Sequence, residues 1–299
     1  MTAATDNERT HVVAVLGRGV IDADLPVVTA DDLGLTRGDG CFDSARVVTD
    51  PTGSAHVVDL DGHLTRLACS AAALAIASPP REDWQALVAE ALACWSTPGE
   101  GTLKLVLTRG REWQSSGPTA LVTLTHRGPE RPTVAPGDSR PAPSITAVTL
   151  SSGLPADAFA GAPWLLGGVK TLAYAVNVAA VREARGRGAD DAIFVTTDGY
   201  ALEGTTSALL VARDGALLAT PTGDTGILES VTVTSILSRA PGHGLTGRHE
   251  LVPVADLFRA QGVWLVSSSR GPVQVTTLDG IALAHDGETA ERVLRLAGF

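Results

Sequence analysis

The sequence predicts an α+β fold in two domains, and three observations lead there. The dipeptides Asp198-Gly199 and Asp214-Gly215 separate short apolar runs in the way hairpin turns do. Helical stretches stand apart from the strands and do not alternate with them, which argues against a regular βαβ order. A run of prolines, Pro129, Pro132, Pro136, Pro141 and Pro143, interrupts the chain near its middle. Such a run reads as a linker or a long surface crossing. It divides the chain into an N-terminal α+β domain, 11–128, a linker, 129–143, and a C-terminal domain, 144–299.

The elements follow in order. His11 to Leu16 and Ala55 to Val58 read as strands, rich in β-branched residues and bounded by Gly and Asp. His63 to Ala77 is an Ala-rich helix stopped by Pro79-Pro80, and Glu82 to Trp95 is a second helix. Gly101 to Thr108 and Thr119 to Thr125 alternate like an antiparallel pair joined by the Gly110 to Pro118 loop. Past the linker, Ile145 to Leu150 is a strand and Thr171 to Arg185 a helix. Ile193 to Thr197, Leu209 to Ala212 and Leu217 to Ala219 are short strands. Val231 to Ser238 starts a helix, Gly262 to Ser267 is a strand, and Gly287 to Leu296 closes the chain as a helix.

Composition narrows the function. Hydrophobic residues make up 44% and charged residues 19%, which suits a globular chain with a sizeable core. A formal charge of −10 argues against general nucleic-acid binding, which needs clustered Lys and Arg. Three scattered cysteines, Cys41, Cys69 and Cys94, make neither a disulfide framework nor a zinc site, so no metal is expected. Met1 to Thr10 is polar, and no stretch approaches the roughly 18 apolar residues of a membrane span. A soluble cytoplasmic protein is expected.

One lysine carries most of the chemistry. Among 23 Lys and Arg residues only Lys104 and Lys170 are lysine, so an amine has been kept at Lys170 where arginine is the rule. It stands in Gly167-Gly168-Val169-Lys170-Thr171-Leu172-Ala173-Tyr174, between a Gly-rich loop and an Ala-rich helix. A lysine that loses its proton can form a Schiff base; arginine cannot. The bland alternative is a surface lysine on a loop. Glu203 follows a hairpin and suits either a solvated turn or a partner for a pyridinium nitrogen. Asp190, Asp191 and Asp198, close by, read as turn or helix-end residues. Thr220-Pro221 and Gly226-Ile227-Leu228 add turns whose N–H groups suit phosphate. Ser267-Ser268-Ser269-Arg270-Gly271 is a second anion-binding candidate or an ordinary Ser-rich loop. Thr36 to Arg46 is Gly-rich but lacks the Lys-Ser/Thr of a P-loop; it reads as a tight turn leading into a strand, or as a pocket lining. Together these residue types, in this order, suit pyridoxal 5′-phosphate.

Taken as a set, they resemble the fold-type IV, or class IV, pyridoxal-phosphate enzymes over about residues 11 to 285. That family holds branched-chain and D-amino-acid aminotransferases and 4-amino-4-deoxychorismate lyase. The resemblance implies a smaller N-terminal α+β domain and a larger C-terminal mixed domain with barrel-like β-sheets. It implies that Arg66, in His63-Leu64-Thr65-Arg66-Leu67, contacts the cofactor phosphate, that Lys170 forms the Schiff base, and that Glu203 partners the pyridine nitrogen. Gly226-Ile227-Leu228-Glu229-Ser230-Val231-Thr232 matches the family's phosphate loop, with backbone amides at Val231 and Thr232. Ser268 falls at a further phosphate-binding hydroxyl.

Gly38-Asp39-Gly40-Cys41-Phe42-Asp43-Ser44-Ala45-Arg46-Val47 and Leu103-Lys104-Leu105-Val106-Leu107-Thr108-Arg109-Gly110 look most like the lyase. The chain departs from the lyase at Ala173-Tyr174, where Asn-Arg is usual, and the Tyr174 phenol becomes a candidate cofactor contact. It departs from the D-amino-acid aminotransferases at Arg111-Glu112-Trp113-Gln114, where their Arg-x-His trap is absent. Ser230 replaces a loop glycine. Arg46, Arg109 or Arg111 is expected to bind substrate carboxylates.

The reading this favours is a lyase that yields 4-aminobenzoate and pyruvate for folate synthesis, through an external aldimine with Lys170 as proton shuttle. The alternative is a class IV aminotransferase acting on D- or branched-chain amino acids. A cofactor-binding protein without catalysis is a third reading. The resemblance also implies a small-molecule substrate bearing an amino group, and a homodimer.

Overall fold

A computed structural model of the chain describes residues 10–114, 117–127 and 144–299; the Pro-rich segment 129–143 lies outside them. Two compact units divide the chain. One runs to Pro132 and includes Val169–Ala173; the other holds Thr133–Gly168 and Tyr174–Phe299.

The first unit contains strands β1 (His11–Val15) and β2 (Gly19–Ile21), a short helix α1 (Leu33–Arg37), and the long β3 (Gly40–Thr49). Strand β4 (Ala55–Val57), helices α2 (Leu60–Ala73) and α3 (Arg81–Ala93), and strands β5 (Gly99–Thr108) and β6 (Thr119–His126) complete it. The strands form one antiparallel sheet in the order β2-β1-β6-β5-β3-β4. Its core has a simple origin. Every second residue of β5 and β6, Leu103, Leu105, Leu107, Val122 and Leu124, is buried against Leu64, Leu67 and Ala71 of α2 and Trp84, Leu87, Val88 and Ala91 of α3.

Helix α2 begins three residues before the expected His63 and stops at Ala73, short of the expected Ala77. The stop is a turn of Schellman type: Ile76 N–H bonds the Ala71 carbonyl and Ala75 N–H that of Ala72. Ala75 takes a left-handed φ of 51° there, and the side chain of Ile76 is buried. An alanine in the place usually held by glycine hid this ending from a sequence reading.

The second unit contains β7 (Ser144–Ser151), α4 (Ala175–Gly186), β8 (Asp191–Val195), β9 (Tyr200–Gly204), β10 (Ala208–Arg213), β11 (Ala216–Ala219) and α5 (Val231–Arg239). Then come β12 (Thr246–His249), β13 (Val252–Pro253), α6 (Val254–Leu257), β14 (Gly262–Ser267), β15 (Gly271–Leu278), β16 (Ile281–Ala282) and α7 (Gly287–Ala297). Within the sheet, β10-β14-β15-β7-β8-β9 forms a ring, shut by the pairing of β9 with β10 at Glu203 and Ala208. This is the barrel-like sheet. Strand β7 runs parallel to both of its neighbours, β15 and β8.

Strands β10 and β14 are apolar on both sides because both sides are covered. Leu209, Val211, Val263 and Leu265 belong to one core with Ile193 and Val275. Leu210, Ala212, Trp264 and Val266 pack on Val233, Ile236 and Leu237 of α5 and Val293 and Leu296 of α7. Asp214-Gly215 turns from β10 to β11 with φ of 51° and 73°, the pair of positive values a type I′ hairpin needs. Asp198-Gly199 joins the antiparallel β8 and β9. No described helix is long and apolar enough to cross a membrane.

Candidate active site

The helix expected from Thr171 begins only at Ala175. Residues 170–172 are instead extended against β3. Phe42 N–H bonds the Lys170 carbonyl at 3.0 Å, Leu172 N–H bonds the Gly40 carbonyl at 2.9 Å, and Thr171 bridges Cys41. From α2 the buried Ser70 hydroxyl accepts the Lys170 N–H at 3.2 Å. The lysine backbone is therefore fixed by a strand and a helix, which sets where its side chain starts. Its Nζ lies 4.7 Å from the centroid of the Phe42 ring. Cys41, alongside, is no rival nucleophile: burial, aided by the Asp43 charge, pushes its thiol up to about 12.

The Gly-Asp-Gly run before β3 owes its glycines to this segment. A Cβ on Gly40 would lie 2.6 Å from the Leu107 carbonyl oxygen and 2.7 Å from Leu172 Cδ1. Gly38, the left-handed cap of α1 at φ 67°, meets Ala173 at 3.2 Å in the same way.

Arg66 leaves α2 toward β3 and grips Asp43 at two points, Nε to Oδ2 and Nη2 to Oδ1, both 2.8 Å. His63 Nδ1 lies 2.8 Å from the same Oδ1, and Ser44 N–H donates to it at 2.7 Å. His63, Arg66 and Ser70 fall at positions i, i+3 and i+7, one face of the helix. Asp43 is wholly buried. Burial alone would raise its pKa; hydrogen bonds from Arg66 and His63, and their charges, outweigh that and hold it down at about 2.

The three arginines expected to bind substrate carboxylates each already hold a protein carboxylate. Arg46, 7% exposed, pairs with Glu100 at 2.5 Å. Arg109 grips Asp39 through Nε and Nη2, and gives its remaining bonds to the Leu74 and Ala75 carbonyls at the end of α2. Arg111 Nε bonds Asp31, and its Nη1 bonds the Gln114 side chain at 2.7 Å. Among the described residues, Nη2 of Arg111 makes no hydrogen bond, whereas Nε and both Nη atoms of Arg109 are engaged.

In the second unit Glu203 sits at the ring-closing pair. The turn after it, Thr205-Thr206-Ser207, is held from several directions. Gly204 N–H bonds the Ser207 carbonyl at 2.7 Å. Asn177 of α4 donates to the Thr205 carbonyl at 2.7 Å, and the Thr205 hydroxyl donates to the buried Asp191 at 2.6 Å. Arg270 donates to the Ser207 hydroxyl at 3.0 Å and lies 3.5 Å from Asp191. The Thr220 hydroxyl bonds the Ala201 and Leu202 carbonyls, pinning β9 just ahead of Glu203. Asp191 is thus a buried brace and not a turn residue.

At the start of α5, Ser230 caps the helix by accepting the Val233 N–H. Val231 and Thr232 are its first two residues, whose N–H groups have no partner within a helix and sit at its positive end. The Thr232 hydroxyl lies 3.0 Å from that of Ser268, in the turn between β14 and β15. Two hydroxyls beside a capped helix start make a donor set for a phosphate dianion. Ser230 thus replaces a loop glycine with a cap. The loop before it is packed tightly: Gly168 N–H bonds the Gly226 carbonyl, and a Cβ on Gly226 would strike the Phe159 ring at 2.3 Å. Tyr174 is the residue before α4 and gives its carbonyl to Val178 N–H.

Phe42, Asp43, Ser70 and Asn177 were not assigned roles from sequence, and Arg270, read there as part of an anion-binding run, contacts Ser207 and Asp191. Only Ser70 had a legible signal, its place one turn beyond Arg66 on the same helix face.

A family model for amino-transferase class IV matches residues 40–278. The bifunctional aminodeoxychorismate lyase / D-amino acid transaminase of Mycobacterium tuberculosis is 39% identical over 277 residues, covering 90% of this chain and 92% of that protein. Among solved structures, a hypothetical aminotransferase of M. tuberculosis in its PLP-bound form superposes with a TM-score of 0.85 at 38% identity, over 96% of this chain and 97% of that one. The fold IV-transaminase CpuTA1 of Curtobacterium pusillum gives 0.85 at 34% identity, over 97% and 99%. With these matches spanning most of its length, the chain belongs to the class IV aminotransferase family.

Proposed function

We propose that this enzyme is an aminodeoxychorismate lyase, releasing 4-aminobenzoate and pyruvate, that also transaminates D-amino acids. Its cofactor is that of the family, pyridoxal 5′-phosphate. The observation that carries the reading is the lyase-like run Gly38–Val47, which forms the strand edge to which the Lys170 backbone is bonded. The 39% identical relative bears both activities in its name.

The bound cofactor supplies an electron sink for charge that develops on the substrate carbon. The chain's own residues do the rest. Lys170 Nζ would hold the cofactor and would move protons on the substrate. A positioned base of this kind contributes about 10²–10⁴-fold. Glu203 keeps a proton on the ring nitrogen. Arg66, the Val231 and Thr232 amides, and the Thr232 and Ser268 hydroxyls hold the phosphate. The Tyr174 phenol contacts the cofactor. Arg111, paired with Asp31 through Nε but with Nη2 to offer, receives a substrate carboxylate; Arg46, buried on Glu100, and Arg109, engaged by Asp39 and two carbonyls, serve the scaffold. The working form is a cytoplasmic homodimer.

Purified enzyme loaded with cofactor should form 4-aminobenzoate and pyruvate from aminodeoxychorismate, and lysine-to-alanine replacement at Lys170 should remove that turnover together with the visible absorption of bound cofactor. Amino-group transfer with D- or branched-chain amino acids, and no lyase product, would instead make this solely an aminotransferase. A fully active K170A enzyme would overturn both.

A further inference from the structure

The buried cluster under Arg66 has no role in the chemistry described so far. Asp43 has no exposure, yet it is ionised and accepts four hydrogen bonds, from Arg66 twice, His63 and Ser44. A buried ion pair is poor value for stability, since apolar residues of similar volume usually serve as well. A carboxylate near an anion site also repels the anion. Its presence is therefore explained by geometry. Two parallel bonds on the Nε–Nη2 edge fix the plane of the guanidinium, and the Nη1 side is turned away from Asp43. Only arginine, planar and forked, can be aimed in this manner. The helix contributes His63 one turn before Arg66, and that imidazole stops the carboxylate from rotating.

We propose that Asp43, steadied by His63, is a positioning residue for cofactor phosphate recognition, acting through the guanidinium of Arg66. The inference rests on the reading that Arg66 contacts the phosphate. It assigns a function to the acid of the Cys41-Phe42-Asp43 run and explains why the histidine stands three residues before the arginine.

The test is binding to the apo-enzyme, followed by absorbance, of pyridoxal phosphate and of pyridoxal, which lacks the phosphate. Asp43→Asn keeps the shape and one acceptor oxygen but puts an NH2 donor in place of the other, removing the charge and the two-point grip. It should weaken pyridoxal phosphate about tenfold, in the range lost when outer partners of ligating groups are removed, and leave pyridoxal unchanged. In an Arg66→Gln background the same replacement should add nothing. His63→Gln, which leaves Asp43 in place, should give the same phosphate-selective loss at about threefold, and it decides the matter if D43N does not fold. Equal losses for the two ligands, or additive losses in the double variant, would overturn the proposal. Full affinity in R66Q would instead refute the phosphate role of Arg66. A selective loss in R66Q with none in D43N or H63Q would refute the role of Asp43 alone.

Discussion

Phe42 holds Lys170 twice: its N–H bonds the lysine carbonyl at 3.0 Å, and its ring lies 4.7 Å from the lysine Nζ. Lys104, the chain's other lysine, stands 5.3 Å from the same ring. A face of π electrons attracts an ammonium group by about 0.5–1 kcal/mol at an exposed site. Backbone and amine of the lysine proposed as catalytic are thus both referred to one residue of β3, and the placement of the amine inherits the rigidity of that strand.

If so, a single methyl group next to that strand should matter. Gly40→Ala puts a Cβ against the Leu107 carbonyl and Leu172 Cδ1, so the 170–172 segment must shift. A misplacement of about 1 Å costs on the order of 10²-fold in rate. Turnover should fall by about that factor at temperatures where the protein is folded, the melting temperature should drop as well because the Leu107 carbonyl is backbone of β5, and an unaltered kcat would show that the segment has slack.

Acid should loosen the first unit through Asp43. Its folded pKa, about 2, lies below the unfolded value, so the stability it contributes is complete above pH about 4 and is lost as pH falls toward 2. The size is about 2 kcal/mol. Urea midpoints measured from pH 5 to 2 should drop steeply for the natural sequence and less steeply for D43N; parallel curves would assign the acid sensitivity elsewhere.

Glu203→Gln should leave the cofactor bound, because the phosphate donors and Lys170 are intact, but should slow steps that place charge on substrate carbon by about 10²-fold. Single-turnover rates beside the absorbance of bound cofactor separate the two effects. Unchanged rates would mean that another acid serves the ring nitrogen.

Thr232→Val and Ser268→Ala each remove one hydroxyl from the proposed phosphate site. A hydrogen bond to a charged group is worth about 1.5–3 kcal/mol, so each should weaken pyridoxal phosphate by roughly tenfold to a hundredfold. Equilibrium titration of the apo-enzyme checks this. The pair should lose less than the product of the single losses, because the two hydroxyls also bond each other at 3.0 Å.

Much of this architecture can be read in the sequence, and the failures have physical causes. Hairpins announced by Asp-Gly were legible because a type I′ turn accepts few residues. Lys170 stood out by scarcity. Strand β3 was seen only in part: its Gly, Asp, Ser and Arg residues look like a loop until β5 and residues 170–172 are laid beside it. The same run hid Asp43, since an acid on a strand points to solvent unless something on the opposite face receives it. The start of α4 was misplaced because Thr171 and Leu172 have helical neighbours, but the segment is held to β3 by Leu172 N–H on the Gly40 carbonyl and by Phe42 N–H on the Lys170 carbonyl. As for the arginines, sequence shows a cation and cannot show which carboxylate, Glu100, Asp39 or Asp31, is already bound to it.

The pairing of Glu203 with Ala208 has a wider meaning. A cylinder of strands closed at one point has a seam, and a seam is where such a wall parts first under heat or denaturant. Here the carboxylate proposed for the cofactor ring stands on the seam itself. Asn177, Arg270 and Thr220 then act as stitches on either side of it. Loosening them would unfasten the acid from its post before the remaining wall gives way, so activity should be lost at a lower temperature than the fold.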